Sequence, residues 1–243
     1  MTLQEIFEQL GHSELAMLNL GGDGAGINES NWERVLSTVN RGLTELHKRF
    51  LIREGRVLLQ MQPGQSAYLL DPKYALTTPD QAGVVKYLKD SSDEPFTGDL
   101  LKVERVLTVM GEDLLLNGSG DSWDQAQRSV RTPTYNRLIL PSELPVQELQ
   151  VVFRADHPRL VRTPGYFNLA DVEVDLPRTH AEALIYFVAS RLFSPIGLSG
   201  NTSYHEGNNY LQLFESACQL LEDQDYQCDE RGENYRLYRN GWV

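Results

Sequence analysis

A helical hairpin with marked ends, residues 175–222, is the feature that most constrains the fold of this chain. Asp175 and Pro177 supply a capping side chain and a first-turn proline, so a helix is predicted from residue 177 to Phe193. Pro195 and Gly197 then interrupt the helical pattern. A second helix is predicted from apolar residues at matching spacing, which are Tyr210, Leu213, Phe214, Ala217, Leu220 and Leu221.

The N-terminal part of the chain also has helical periodicity. Thr2 and Glu5 have the spacing of a capping box, and they precede a short helix that ends near Leu10. A longer helix is predicted from Ser30 to about Phe50, with an apolar stripe on one side and charged residues on the other.

The middle of the chain reads as β structure. Short β-prone runs occur at 57–61, 67–70, 101–110, 113–116, 136–140 and 149–154, with a tight turn at 110–113. We also predict a short helix at 78–89 and a long exposed loop at 117–135. The order of elements predicts an α+β protein in which N- and C-terminal helices form a bundle around a central antiparallel insertion. The expected domains are 1–55 with 150–222, 56–149, and an extended tail at 223–243.

Composition narrows the classes of function. The 243 residues carry a net charge of −12, which disfavours a general nucleic-acid binder because such a protein needs a positive surface. Cys218 and Cys228 do not make a disulfide framework, so a reducing compartment is expected. The first residues lack the pattern of a signal peptide, and no apolar run is long enough to span a membrane, so no membrane partner is expected.

The sequence contains no recognisable catalytic motif. The Gly-rich stretch 21–26 lacks the Gly-Lys-Ser/Thr of a phosphate-binding loop, and the histidines lack the spacing of zinc ligands. Ser199 is not in a nucleophile elbow, and 117–124 lacks the spacing of a calcium loop. We therefore expect no enzyme activity, cofactor or metal. A soluble carboxylate-dependent hydrolase stays an alternative, because paired carboxylates are defined by geometry.

Several of these elements together resemble one family. A strand ends in Phe153–Pro158, a helix opens at Asp175-Leu176-Pro177 and continues through 182–193, and a second helix carries Tyr210-Leu211 and Phe214-Glu215. With the N-terminal helices, this pattern resembles the head-to-tail adaptor (connector) proteins of tailed bacteriophages, especially short-tailed ones. The resemblance covers about 1–60 and 150–222, and its motifs are structural.

The resemblance implies a structural virion protein in the neck of the particle, made in the host cytoplasm. Such proteins form a ring, usually twelvefold, beneath the portal protein. The other face of the ring receives a tail nozzle or tube and sometimes a tail fibre. DNA passes through the channel during ejection without specific binding, which agrees with the acidic composition. Another neck or tail component, such as a tube-side connector, a tail-completion protein or a baseplate protein, is the neighbouring alternative.

The resemblance also suggests where partners bind. The C-terminal segment of such adaptors commonly docks on the portal, and the tail of this chain carries interface-type side chains there, namely Arg231, Tyr235, Arg236, Tyr238, Arg239 and Trp242. The alternative is that the tail packs back on its own domain. The polar faces of the helices predict contacts between subunits through Arg34, Arg41, Glu45, Arg49, Glu182 and Arg191.

Overall fold

The computed structural model of the chain describes residues 1–12, 15, 20, 27–118, 129–141, 144, 148–163, 167–193 and 201–224, with the backbone alone for 201–206. These residues form four α-helices and seven strands, and all strand pairs are antiparallel, so the predicted α+β class is confirmed. The chain divides into two compact units. We call Met1–Asn31 with Leu169–Val243 the terminal unit, and Trp32–Asn168 the central unit.

The terminal unit begins with α1, Leu3–His12, which buries Leu3, Ile6, Phe7 and Leu10. The predicted capping box is confirmed, because Glu5 N donates to Thr2 Oγ1 over 3.3 Å and Thr2 N donates to Glu5 Oε2 over 3.1 Å. Leu3 N also donates to Val172 O over 2.9 Å, and Val174 N donates to Met1 O over 2.8 Å. These bonds hold the N-terminus against the segment that precedes the C-terminal helices.

The C-terminal helices of this unit are α3, Ala181–Phe193, and α4, Asn201–Asp223. A single 3-10 turn, Arg178–His180, precedes α3. The N-cap of this turn is Pro177, not Asp175 as the sequence predicts. Pro177 has φ −59° and ψ 141°, so the extended backbone continues to this residue and the helical turn starts one position later than predicted. α3 packs against both α1 and α4.

The central unit contains a four-stranded sheet in the order β3-β1-β7-β4. Its strands are β1 Glu54–Gln60, β3 Leu88–Lys89, β4 Leu100–Thr108 and β7 Glu148–Ala155. β7 is paired on both sides, and Val151 and Phe153 on one face join the core between the sheets. Val152 on the other face is also buried, and α2, Trp32–Arg49, packs against β7. Burial on both faces explains the near-continuous apolar run in this strand.

A second sheet in the order β2-β6-β5 completes the central unit. Its strands are β2 Ala67–Leu69, β5 Arg131–Thr134 and β6 Arg137–Ile139. Tyr68 is fully buried, and its hydroxyl accepts from Gln62 N over 2.7 Å and donates to Gln65 O over 3.0 Å. The hydroxyl therefore satisfies the loop backbone while the ring fills the core. The tyrosine ring of Tyr87 contacts Tyr68 edge to face, with centroids 5.2 Å apart.

The boundaries of the two units differ from the predicted domains 1–55 with 150–222 and 56–149. The sequence places α2 and β7 with the helical core, whereas the structure groups both with the sheets. The reason is long-range packing, since β7 pairs with strands that lie about 50 and 90 residues earlier in the chain. Of the predicted bundle, α1, α3 and α4 share one unit and α2 belongs to the other. Beyond Gln224, the predicted tail lies outside the described residues.

Two other local predictions are corrected. Residues 78–89 form turns and the short strand β3 instead of a helix, because Leu88 and Lys89 pair with β1. Part of the predicted loop 117–135 is strand β5, which pairs with β6. The predicted strand at 113–116 is reduced to isolated bridges, Leu107 with Asp113 and Leu116 with Val130. A tight turn is present two residues earlier than the predicted 110–113, since Gly111 N donates to Thr108 O over 2.9 Å.

Candidate interaction surfaces

The hairpin of α3 and α4 is held by aromatic contacts. Phe187 meets Phe214 edge to face with ring centroids 5.2 Å apart, and Phe193 stacks on Tyr210 at 5.4 Å. Cys218 is fully buried one turn after Phe214, so it is a small core residue as predicted. These contacts define the inner face of α4, which covers α3.

The outer side of α4 exposes two leucines. Leu213 is 44% exposed and Leu220 is 56% exposed, although the sequence pattern groups both with the core-facing residues. The inner face is already complete with Phe214, Cys218 and Leu221, and successive residues on a helix lie about 100° apart. Leu213 and Leu220 therefore fall beside the buried stripe. Their exposed neighbours on this side are Gln212, Ser216 and Gln219, together with the charged Asp223 near the end of the helix.

We call Leu213 and Leu220 the apolar ridge. Because they are seven residues apart, they lie two turns apart on the same side of α4. Single exposed leucines are common on protein surfaces, but two at a seven-residue spacing have the pattern of a helix-packing seam. The ridge was missed from sequence because its residues look like core positions.

The predicted intersubunit residues are divided between the two units. Glu182 and Arg191 are exposed on α3 in the terminal unit, where Glu182 accepts from the Tyr186 hydroxyl over 2.8 Å and the Arg191 guanidinium lies 5.1 Å from the Phe187 ring centroid. In the central unit, α2 carries Arg34, Arg41, Glu45 and Arg49. The first three are exposed, and Arg49 is partly buried.

A groove of about 440 Å³ runs beside α2, which we call the α2 groove. Its other wall is the segment that follows β7, Asp156–Arg159. Asn40 fixes this segment with a pair of bonds, since its Nδ2 donates to Leu160 O over 2.9 Å and its Oδ1 accepts from Leu160 N over 2.8 Å. Thr44 Oγ1 also donates to Asp156 Oδ2 over 3.1 Å. These bonds tie the two walls of the groove together. The sequence alone does not predict a functional role for Asn40, Thr44 or Asp156.

The charged side chains of the α2 groove are of both signs. Its cations are Arg41, Lys48 and Arg159, and its anions are Glu45 and Asp156. Lys48 pairs with Glu45 over 2.9 Å on the helix surface, and Asp156 Oδ1 accepts from His157 N over 2.8 Å. Arg41 and Arg159 are exposed. They are the cations on the two opposite walls.

An exposed acidic turn, residues 90–94, follows β3 in the same unit. The Asp90 carboxylate anchors the start of the turn. It accepts from Thr77 N over 3.0 Å, from the Thr77 hydroxyl, and from Phe96 N over 2.9 Å. Glu94 N donates to Ser91 Oγ over 3.1 Å, which closes the turn. Asp93 and Glu94 are exposed. Burial raises the pKa of Asp90, but the hydrogen bonds from Thr77 and Phe96 outweigh it, and the net pKa lies below the usual value of 3.8.

The stability that Asp90 supplies should depend on pH. Because its folded pKa is lowered, its contribution is present above the unfolded pKa near 3.8 and is lost as pH falls through the folded value. We expect Asp90→Asn to lower the free energy of unfolding at pH 7 by about 1–3 kcal/mol, since a charged acceptor is lost. Denaturant titrations at pH 7 and below pH 3 measure this, and the difference between the two proteins should shrink at the lower pH. A constant difference would mean that the charge is unimportant.

The predicted portal-docking residues Arg231, Tyr235, Arg236, Tyr238, Arg239 and Trp242 lie outside the described residues, as does the Gly-rich stretch 21–26. Within the described part of the chain, no group of three or more His, Cys, Asp or Glu side chains is placed to hold a metal ion. No helix among the described residues is long and apolar enough to cross a membrane.

Comparison with known proteins gives no family for this chain. No protein-family model matches it, and no curated protein sequence matches it either. Arguments about function therefore start from the surfaces described above.

Proposed function

We propose that this chain is a structural virion protein that forms a ring and joins the portal to the tail of a tailed bacteriophage. The observation that carries the proposal is the apolar ridge on α4. A helix that buries one side in its own unit and exposes Leu213 and Leu220 on another is suited to packing beside a neighbouring copy. The resemblance of the helical segments to head-to-tail adaptors supports the same role.

A ring requires a contact between two different surfaces of each copy, repeated until the ring closes. In this proposal the ridge of one subunit packs against its neighbour, and the exposed charged residues of α2 and of α3 make further contacts between subunits. Arg34, Arg41, Glu45, Glu182 and Arg191 are exposed and available for such contacts. The role is structural rather than catalytic, and it needs no cofactor or metal.

The remaining partners follow from position in the particle. The portal lies on one side of the ring, and a tail nozzle or tube, with or without a fibre, lies on the other. The net charge of −12 suits a channel wall that DNA passes without binding. The proposed site of action is the neck of the virion, after synthesis in the host cytoplasm.

Portal docking is assigned to the C-terminal tail. Truncation after Asp223 removes only residues beyond the end of α4, so the helical hairpin should remain folded. We expect the truncated chain to keep its free energy of unfolding and to lose binding to purified portal rings in a pull-down or by surface plasmon resonance. The full-length chain is the control. Portal binding that survives truncation would remove the docking assignment.

A further inference from the structure

The α2 groove has cations on both walls although the whole chain is acidic. Arg41 projects from α2, and Arg159 from the segment after β7. Arg34 is also exposed on α2, one helical repeat before Arg41. In a chain with a net charge of −12, exposed arginines on both walls of a groove are suited to binding acidic groups.

The groove is a built feature because both walls are tied together. The paired bonds between Asn40 and Leu160 join α2 to the opposite segment, and the bond from Thr44 to Asp156 adds a second tie. Arg53 Nη1 donates to Asp156 O over 2.9 Å and to Asp99 Oδ2 over 2.8 Å, which fixes the base of the segment. A volume of about 440 Å³ lies within the range of clefts that hold ligands, about 300–1,000 Å³.

The polar groups of the groove suit a polypeptide. The exposed hydroxyl of Ser37 can bond a peptide backbone. The carboxylates of the groove are engaged within it, because Glu45 pairs with Lys48 and Asp156 accepts from Thr44 and from His157 N. Arg41 and Arg159 are the exposed cations on the two walls, and two guanidinium groups match the carboxylates of a short acidic protein segment.

We infer that the α2 groove receives the acidic turn 90–94 of a neighbouring copy of this chain. Asp93 and Glu94 are exposed, and the bonds made by Asp90 and Ser91 hold the turn in one shape. A preordered turn loses little conformational entropy on binding. Carboxylates on the turn match the guanidinium groups of Arg41 and Arg159, which favour planar carboxylate contacts.

The contact joins two different surfaces of the central unit, so it is heterologous and can propagate around a ring. The inference rests on the proposed function, because it names the partner segment at the subunit junction. It adds a specific electrostatic contact to the apolar packing of α4.

Paired charge reversals test this directly. The groove variant is R41E/R159E, and the turn variant is D93K/E94K. We expect either variant alone to lower the association constant between subunits at least about a hundredfold, because like charges then face each other. An equimolar mixture should recover assembly to within about tenfold of the wild type, since each reversed groove meets a reversed turn. A ring with an even number of subunits permits this alternation.

A matched control keeps the net charge equal. R131E/R137E changes the charge by the same amount as R41E/R159E, at exposed positions of β5 and β6. Its association constant should stay near that of the wild type. Sedimentation velocity over a range of concentrations, with and without purified portal rings, measures all of the variants, and circular dichroism checks their folding.

The outcomes separate this inference from the proposed function. Assembly of both single variants at the wild-type level, or a mixture that fails to recover, overturns the turn-in-groove contact while leaving the ring intact. Wild-type protein that forms no oligomer under any of these conditions overturns both. Duplex DNA binding by the wild type that R41E/R159E abolishes, with assembly unchanged, would assign the groove to nucleic acid instead.

Discussion

Replacement of Leu213 and Leu220 by glutamine is expected to abolish ring assembly while the protein stays folded. Both side chains are exposed in the single chain, so their loss costs the folded subunit little. At a subunit junction, each buried leucine contributes about 1.5–3 kcal/mol, so the double replacement removes about 3–6 kcal/mol from each contact. That corresponds to a fall in the association constant of roughly a hundredfold to ten-thousandfold.

The matched control for the ridge is Q212A/Q219A. These two positions lie next to the leucines on the same exposed side of α4 and are also seven residues apart. We expect the control to assemble almost as the wild type does. Size-exclusion chromatography with light scattering measures the mass of each variant in the presence of portal rings. Rings of normal mass from L213Q/L220Q would show that the ridge is not the packing surface.

Replacement of Arg154 by alanine is expected to destabilise the central unit much more than replacement of an exposed arginine of the same sheet. The Arg154 guanidinium pairs with Glu104 over 2.8 Å, and its Nη1 donates to Lys48 O at the last turn of α2 over 2.5 Å. The two charged side chains are only 15% and 12% exposed. Arg154→Ala removes the closer cation from the Glu104 carboxylate, which keeps Lys102 at 3.2 Å, and it removes a cap from α2, so the free energy of unfolding should fall by about 2–3 kcal/mol.

Arg105→Ala is the matched control for Arg154→Ala, because Arg105 is also an arginine of the same sheet, on β4. It pairs with Asp113 over 3.0 Å, and the two side chains are 27% and 46% exposed. A pair that is this open to water is worth at most about 1 kcal/mol. Urea titrations of both variants should therefore separate clearly. Equal losses would mean that the contact between Arg154 and Glu104 contributes no more than a surface ion pair.

Local features of the fold could be predicted from sequence where a few adjacent residues decide the structure. The capping box of Thr2 and Glu5 and the turn after Thr108 depend on near neighbours in the chain, and both are present. The buried position of Cys218 also followed from helical spacing. By contrast, the spacing could not show that Leu213 and Leu220 are exposed, because the width of a buried stripe depends on the helix that covers it.

The α2 groove could not be predicted because its parts are far apart in sequence. Asn40 and Leu160 are separated by 120 positions, and Thr44 and Asp156 by 112. The sequence does indicate one wall, because Arg41 and Glu45 on α2 are predicted intersubunit residues. The other wall, Asp156–Arg159, is marked in the sequence only as a polar stretch directly after a strand. Only the packing of α2 on β7 brings the two together.

The mass of the complex between the full-length chain and purified portal rings tests the central claim most directly. The proposal predicts a mass that corresponds to one closed ring of this chain on each portal. It also predicts that residues 213–220 are protected from hydrogen exchange in the assembled state. A chain that stays monomeric beside the portal, or an assembly in which 213–220 exchange as fast as in the monomer, would contradict it.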